Sequence, residues 1–132
     1  MNATPSVALV VDDSMLIRHT VCCFFEERGF EVESATNGQD ALEILKRLHP
    51  DIIITDMEMP KMTGSELIAA LKLQPGTASI PVVIVAGKQS GFEKKKHGAD
   101  FAIFKDIDIE DQLAAAIKAV LGSPSKKKAA GK

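Results

Sequence analysis

No stretch of the sequence stays apolar for anything near the ~20 residues that a membrane span requires. The N-terminus also lacks the basic, apolar and small-residue regions of a secretory signal. The expected location is therefore the cytoplasm, with no membrane partner. Cysteine is scarce too. The two present, Cys22 and Cys23, are neighbours, too close for an unstrained bridge, and no metal-ligand spacing involves them. Both read as free thiols, half-buried on a helix. A broadly basic surface is missing as well. The formal charge is −2, but the segment from Gly122 to Lys132 holds four of the sixteen basic residues and no acid, which leaves twelve basic against eighteen acidic side chains before it. A body of that sign argues against wholesale nucleic-acid binding, which needs a basic face to neutralise phosphates. The Gly, Ser, Pro, Lys and Ala composition of residues 122–132 cannot bury enough apolar area to order itself, so this stretch reads as a disordered basic tail.

What is present suits one domain, since 132 residues with 45% apolar content can enclose one core and leave no room for a second. Five short apolar, β-branched runs have strand length: Val7 to Val11, Glu31 to Ala35, Ile52 to Thr55, Ile80 to Val85 and Phe101 to Phe104. Three are continuously apolar, as strands covered on both faces of a parallel sheet are. Helical stripes alternate with them: Ile17, Val21 and Phe24; Ala41, Leu42, Leu45 and Leu48; Gly64, Leu67, Ile68 and Leu71; and Leu113, Ala116, Ile117 and Val120. A fifth helix over Gln89 to His97 would be short and mostly solvated. Ser14, Asn37 and Thr63 are expected caps, and Gly29 an expected helix end. The alternation predicts an α/β fold with helices on both faces of a parallel sheet, and ligands beyond the carboxyl ends of its strands.

The chemistry-bearing residues fall at those ends. The first strand stops at Asp12 and Asp13, the third at Asp56, and the fifth at Lys105. Taken singly, an aspartate after a strand is more simply a cap or turn residue, and a lone lysine is more simply solvated. Four groups meeting at one end are harder to explain that way. Three carboxylates raise one another's pKa unless a cation joins them. All-oxygen ligands without Cys or His select a hard ion, and a site left to be completed by water and phosphate suits Mg²⁺. One carboxylate is then free to attack phosphorus, giving an acyl phosphate, with the metal and the lysine neutralising the transferring oxygens.

Taken in order, Asp12, Asp13 and Ser14, then Asn37 and Gly38, then Asp56, Met59, Pro60 and Gly64, then Gly98, Ala99, Asp100 and Lys105 resemble the receiver domains of two-component signalling, in particular the chemotaxis-regulator type. The resemblance covers roughly residues 6 to 121 of the chain. It implies a doubly wound (βα)5, flavodoxin-like sheet of strand order 2-1-3-4-5, with residues 1–121 as the receiver domain. It further implies Asp56 as phosphoacceptor, Asp12 and Asp13 as Mg²⁺ ligands, the main-chain carbonyl of Glu58 as a further ligand, and Lys105 against the phosphoryl group. The Glu58 side chain would face Lys88 at the pocket mouth. A sensor histidine kinase or phosphotransfer protein would supply the phosphoryl group, and a downstream target protein would read it.

Three departures fall in the switching apparatus. The family's Thr or Ser after the fourth strand is Ala86, its aromatic of the fifth strand is Ala102, and the proline after the lysine is Asp106. Phe101 and Phe104 are expected on the opposite face of the strand from residue 102, in core roles. Without proline, a cis bond after Lys105 would cost ~3 kcal/mol, so a trans bond is expected. The functional reading is a stand-alone phosphoacceptor that acts by binding other proteins and catalyses only its own phosphoryl transfer and dephosphorylation. The alternative is a phosphorylation-independent docking module. An aspartyl phosphatase would need its nucleophile after the first strand and a cap insertion, and a flavin module would need a hydroxyl- and glycine-rich loop there. His19, His49 and His97 read as solvated helix residues.

Overall fold

Alternation along each strand sorts the core into two layers, one on either side of a single sheet. Leu9 and Val11 of β1 (Val7–Val11) and Ile53 of β3 (Ile52–Asp56) pack with Ala41, Leu45, Leu67, Ile68 and Leu71. Their strand neighbours Ala8, Val10, Ile52 and Ile54 pack with Val21, Phe24, Phe25, Leu113, Ala116 and Ile117 on the other side. The first layer is covered by α2 (Gly38–Leu45) and α3 (Gly64–Lys72), the second by α1 (Met15–Glu27) and α4 (Ile109–Leu121). With β2 (Glu31–Ala35), β4 (Val82–Ala86) and β5 (Phe101–Phe104), the five parallel strands run in the order β2-β1-β3-β4-β5. This computed structural model describes residues 6–59, 62–87, 99–105 and 108–121. The segment from Gln89 to His97, Lys88, the bond from Lys105 to Asp106 and residues 122–132 lie outside them.

The helix starts and stops are built as the side chains dictate. The Ser14 hydroxyl accepts from Ile17 N–H, Asn37 Oδ1 accepts from Asp40 N–H, and Thr63 with Glu66 forms a reciprocal capping box. Helix α1 ends in a Schellman motif. Phe30 N–H reaches Phe25 C=O at 3.1 Å and Gly29 N–H reaches Glu26 C=O at 3.1 Å, with Gly29 at φ 87°, the left-handed region a glycine enters without strain. Asp108 caps α4 by accepting from Glu110 and Asp111 N–H.

The structure departs from the sequence reading at four places: β4, β3, His49 and Phe104. β4 starts at Val82 rather than Ile80, because Pro81 has no N–H and only its carbonyl joins the ladder, accepting from Ile53 N–H at 3.0 Å. β4 runs on to Ala86, and β3 to Asp56. His49 is exposed but follows the end of α2 instead of lying in it. Phe104 sits on the same side of β5 as Ala102, since side chains two apart share a face, and it pairs in register with Ala86. Phe101 lies on the other side, as expected, packed against the α1 and α4 layer. Cys22 and Cys23 are half-buried free thiols on α1.

Candidate functional site

The chain leaves β1, forms β2 on one side of it, and returns to form β3 on the other, so strand order reverses between β1 and β3. At such a switch point the two following turns part and open a crevice beyond the strand ends. Asp12 and Asp13 follow β1, Asp56 ends β3 and Lys105 follows β5, all at that edge. One carboxylate oxygen from each of Asp12, Asp13 and Asp56 lies within 4.8 Å of the other two. Asp12 and Asp56 are buried, while Asp13 is exposed. The Lys105 ammonium stands 3.2 Å from Asp56 Oδ1 and 3.9 Å from Asp12 Oδ2.

Local hydrogen bonds aim these groups. Asp12 Oδ1 accepts from Ser14 N–H at 2.8 Å, and the Arg18 guanidinium donates to the Asp12 main-chain carbonyl at 2.9 Å. Asp56 Oδ1 accepts a long bond of 3.4 Å from Glu58 N–H, while the Glu58 side chain is exposed. Lys105 N–H donates to Ala86 C=O at 2.9 Å, which ties the lysine to the end of β4. Ala86 is buried at this edge and carries no hydroxyl to offer an oxyanion, and Ala102 is a methyl packed against the α2 and α3 layer.

Electrostatically the pocket is in deficit of positive charge. Burial pushes the Asp12 carboxyl up from 3.8 to about 6; the Ser14 N–H and Lys105 oppose the rise, and the charges of Asp56 and Asp13 add to it. Burial raises Asp56 as well, against the pull of Lys105 and the Glu58 N–H. Asp12 Oδ2 is buried with no hydrogen-bond partner among the described residues, since 3.9 Å to Lys105 is an ion-pair distance and too long for a hydrogen bond. A buried carboxylate oxygen left so is costly and calls for a cation. The donor set is all oxygen, open on the Asp13 side, and fits a hard divalent ion completed by water.

Gly64 holds the third wall. A side-chain carbon there would stand 2.5 Å from the main-chain oxygen of Asp56, and Gly64 N–H already donates to Met57 C=O at 2.9 Å. Gly64→Ala is accordingly expected to push α3 off the end of β3 and cost about 1–3 kcal/mol. Chemical denaturation measures the loss, and an unchanged midpoint would show that α3 gives way freely.

The sequence-predicted residues Asp12, Asp13, Asp56 and Lys105 are thus together, Glu58 reaches Asp56 through its N–H rather than its carbonyl, and Lys88 is outside the described residues. Arg18 was not foreseen, because a guanidinium bonded to a main-chain carbonyl leaves no motif.

The response regulator receiver domain family matches residues 8–118. Protein PilG of Pseudomonas aeruginosa is 34% identical over 84% of this chain and 84% of its own. Protein PilH of the same organism is 33% identical over 86% of this chain and 95% of its own. The structure of the chemotaxis response regulator CheY4 of Vibrio cholerae superposes with a TM-score of 0.80 at 32% identity, covering 88% of this chain and 99% of that one.

Proposed function

We propose that this chain, which belongs to the response regulator receiver domain family, accepts a phosphoryl group on Asp56 from a sensor histidine kinase or phosphotransfer protein and acts by binding a downstream protein. The observation that carries the reading is the meeting of three carboxylates and the Lys105 ammonium at one strand edge, with 3.2 Å between Lys105 Nζ and Asp56 Oδ1. Asp12, Asp13, Asp56 and the Glu58 carbonyl would hold Mg²⁺, which when bound neutralises charge on the transferring oxygens. The ionised Asp56 carboxylate attacks phosphorus. An oxygen–phosphorus bond forms as the phosphorus–nitrogen bond of the donor phosphohistidine breaks, and the imidazole leaves with its electron pair and takes up a proton. Lys105, drawn toward the new phosphoryl oxygens, exchanges its carboxylate partner for them.

The chain turns over only its own phosphoryl group. Residues 1–121 form the receiver unit and residues 122–132 an accessory basic tail. The match spans 95% of Protein PilH, so that relative is little longer than the matched receiver region. Action in the cytoplasm is part of this proposal; among the described residues no helix is long and apolar enough to cross a membrane. Intact-mass measurement after incubation with a small phosphodonor and Mg²⁺ tests the reading: one added phosphoryl group is expected, and no gain would overturn it.

Ala86 and Ala102 favour a second reading, a docking module indifferent to phosphorylation. A ligand shifts a two-state equilibrium only by its differential affinity for the two states. The missing hydroxyl at position 86 would have added a charge-assisted hydrogen bond, an interaction of about 1.5–3 kcal/mol. Ala86→Thr is therefore expected to enlarge the amide NMR shifts that beryllofluoride and Mg²⁺ induce beyond the pocket. Equal shifts in both proteins would show that position 86 no longer matters.

A further inference from the structure

β5 is the outer strand of the sheet among the described residues, and its last residue is gripped from outside by a side chain. Gln112, one turn into α4, turns its amide back onto Phe104. Its Oε1 accepts from Phe104 N–H at 2.9 Å and its Nε2 donates to Phe104 C=O at 2.8 Å, with a further donation to Asp108 C=O at 3.1 Å. A primary amide offers one acceptor and two donors, and here all three are engaged. The two bonds to Phe104 reproduce what a neighbouring strand would give that residue.

The next residue is Lys105. Successive residues of a strand turn their amides to opposite edges, so Lys105 N–H faces inward, to Ala86 C=O at 2.9 Å, while Phe104 is held outward. The lysine backbone is thereby fixed from both sides where its ammonium must reach across β4 to Asp56 on β3. A flexible four-carbon stem supplies no such fixing by itself. Gln112 belongs to no part of the carboxylate pocket and lies beside Leu113, whose burial anchors α4 to the sheet.

We propose that Gln112 is a positioning residue for Lys105: it clamps the end of β5 so that the ammonium keeps its approach to Asp56, and it makes α4 follow when that strand end shifts. The proposal rests on the phosphoacceptor reading for its purpose, and on the clamp geometry for its existence. When Lys105 moves toward a phosphoryl oxygen, Phe104 is drawn with it, and two hydrogen bonds carry the displacement into the first turns of α4. This route passes through neither Ala86 nor Ala102.

Gln112→Leu keeps the bulk and removes both bonds to Phe104 together with the one to Asp108 C=O. The test compares the Lys105 Cε methylene signal by ¹³C NMR in the parent, Asp56→Asn, Gln112→Leu and the double variant. In the parent, removal of the Asp56 charge is expected to shift this signal; with Gln112→Leu the same change is expected to shift it by less than half as much. The rate of labelling by a small phosphodonor is expected to fall at least fivefold in Gln112→Leu at saturating donor, and the beryllofluoride-induced amide shifts over Ile109–Leu121 to shrink with it. Should Gln112→Leu fail to fold, Gln112→Glu retains the acceptor for Phe104 N–H and loses the donors, and an intermediate response is expected. A Lys105 response as large as the parent's in the substituted protein overturns the proposal. A parent that gains no mass overturns the phosphoacceptor reading alone, because the Lys105 measurement requires no phosphoryl transfer.

Discussion

Asp56→Asn is expected to remove the phosphoryl mass gain entirely while leaving the fold intact. The substitution preserves shape and an acceptor oxygen for the Glu58 N–H, which reaches Asp56 Oδ1 at 3.4 Å. What it removes is the anionic oxygen that attacks phosphorus, and a neutral amide is no substitute for it. Asp13→Asn provides the contrast. Asp13 is exposed at the rim, so its replacement is expected to weaken Mg²⁺ binding and slow labelling without abolishing it. Lys105→Met should fall between the two, on the order of 10²-fold slower, the usual cost of losing one group that stabilises a developing anion. Labelling of Asp56→Asn at the parent's rate would assign the phosphoryl group elsewhere.

The groups in this argument were legible in the sequence because each ends an apolar run. A strand that stops at a carboxylate announces where its side chain will lie once the sheet is known to be parallel, and Asp12, Asp56 and Lys105 are all of this kind. The caps Ser14, Asn37 and Thr63 were legible for a similar reason, since their bonds are made within three residues. Arg18 and Gln112 escaped because they bond main-chain atoms of another element, and a main-chain partner has no sequence signature. Asp108 escaped because nothing in its spacing distinguishes it from a surface acid. The start of β4 was misplaced because Ile80 is apolar but Pro81 cannot donate to the ladder. Phe104 was assigned to the wrong side of β5 although the period of two places it with Ala102 and beside Ala86. An aromatic ring is therefore present on the face where Ala102 leaves a methyl, two residues further along the strand.

The metal-free protein should be the less stable for its own site, and Asp12→Asn is expected to raise its melting temperature. Burial lifts Asp12 from 3.8 to about 6, so the folded chain holds this carboxylate in its charged form at a penalty. The sign follows from linkage: a carboxyl whose pKa is higher folded than unfolded destabilises the fold above the folded value, and the penalty fades as pH falls through about 6 toward 3.8. Near neutral pH the penalty is on the order of 2 kcal/mol. The neutral amide of Asn avoids the desolvation of a charge and the repulsion from Asp56 and Asp13. Its oxygen can still accept from Ser14 N–H, and its NH₂ can donate toward the Asp56 carboxylate. A rise of roughly 5–10 °C at pH 7.5 without metal is expected for a domain of this size. The gap should narrow to about half when the pH is lowered to 5, and it vanishes only below 3.8. It should close when Mg²⁺ is added at neutral pH, because only the parent retains the full carboxylate set that gains from the ion. Thermal melts of both proteins across pH 5–8, with and without Mg²⁺, measure all three trends. A melting temperature for Asp12→Asn at or below the parent's in the absence of metal would mean that Lys105 already compensates the buried charge in full, despite standing 3.9 Å from the Asp12 oxygen that lacks a hydrogen bond.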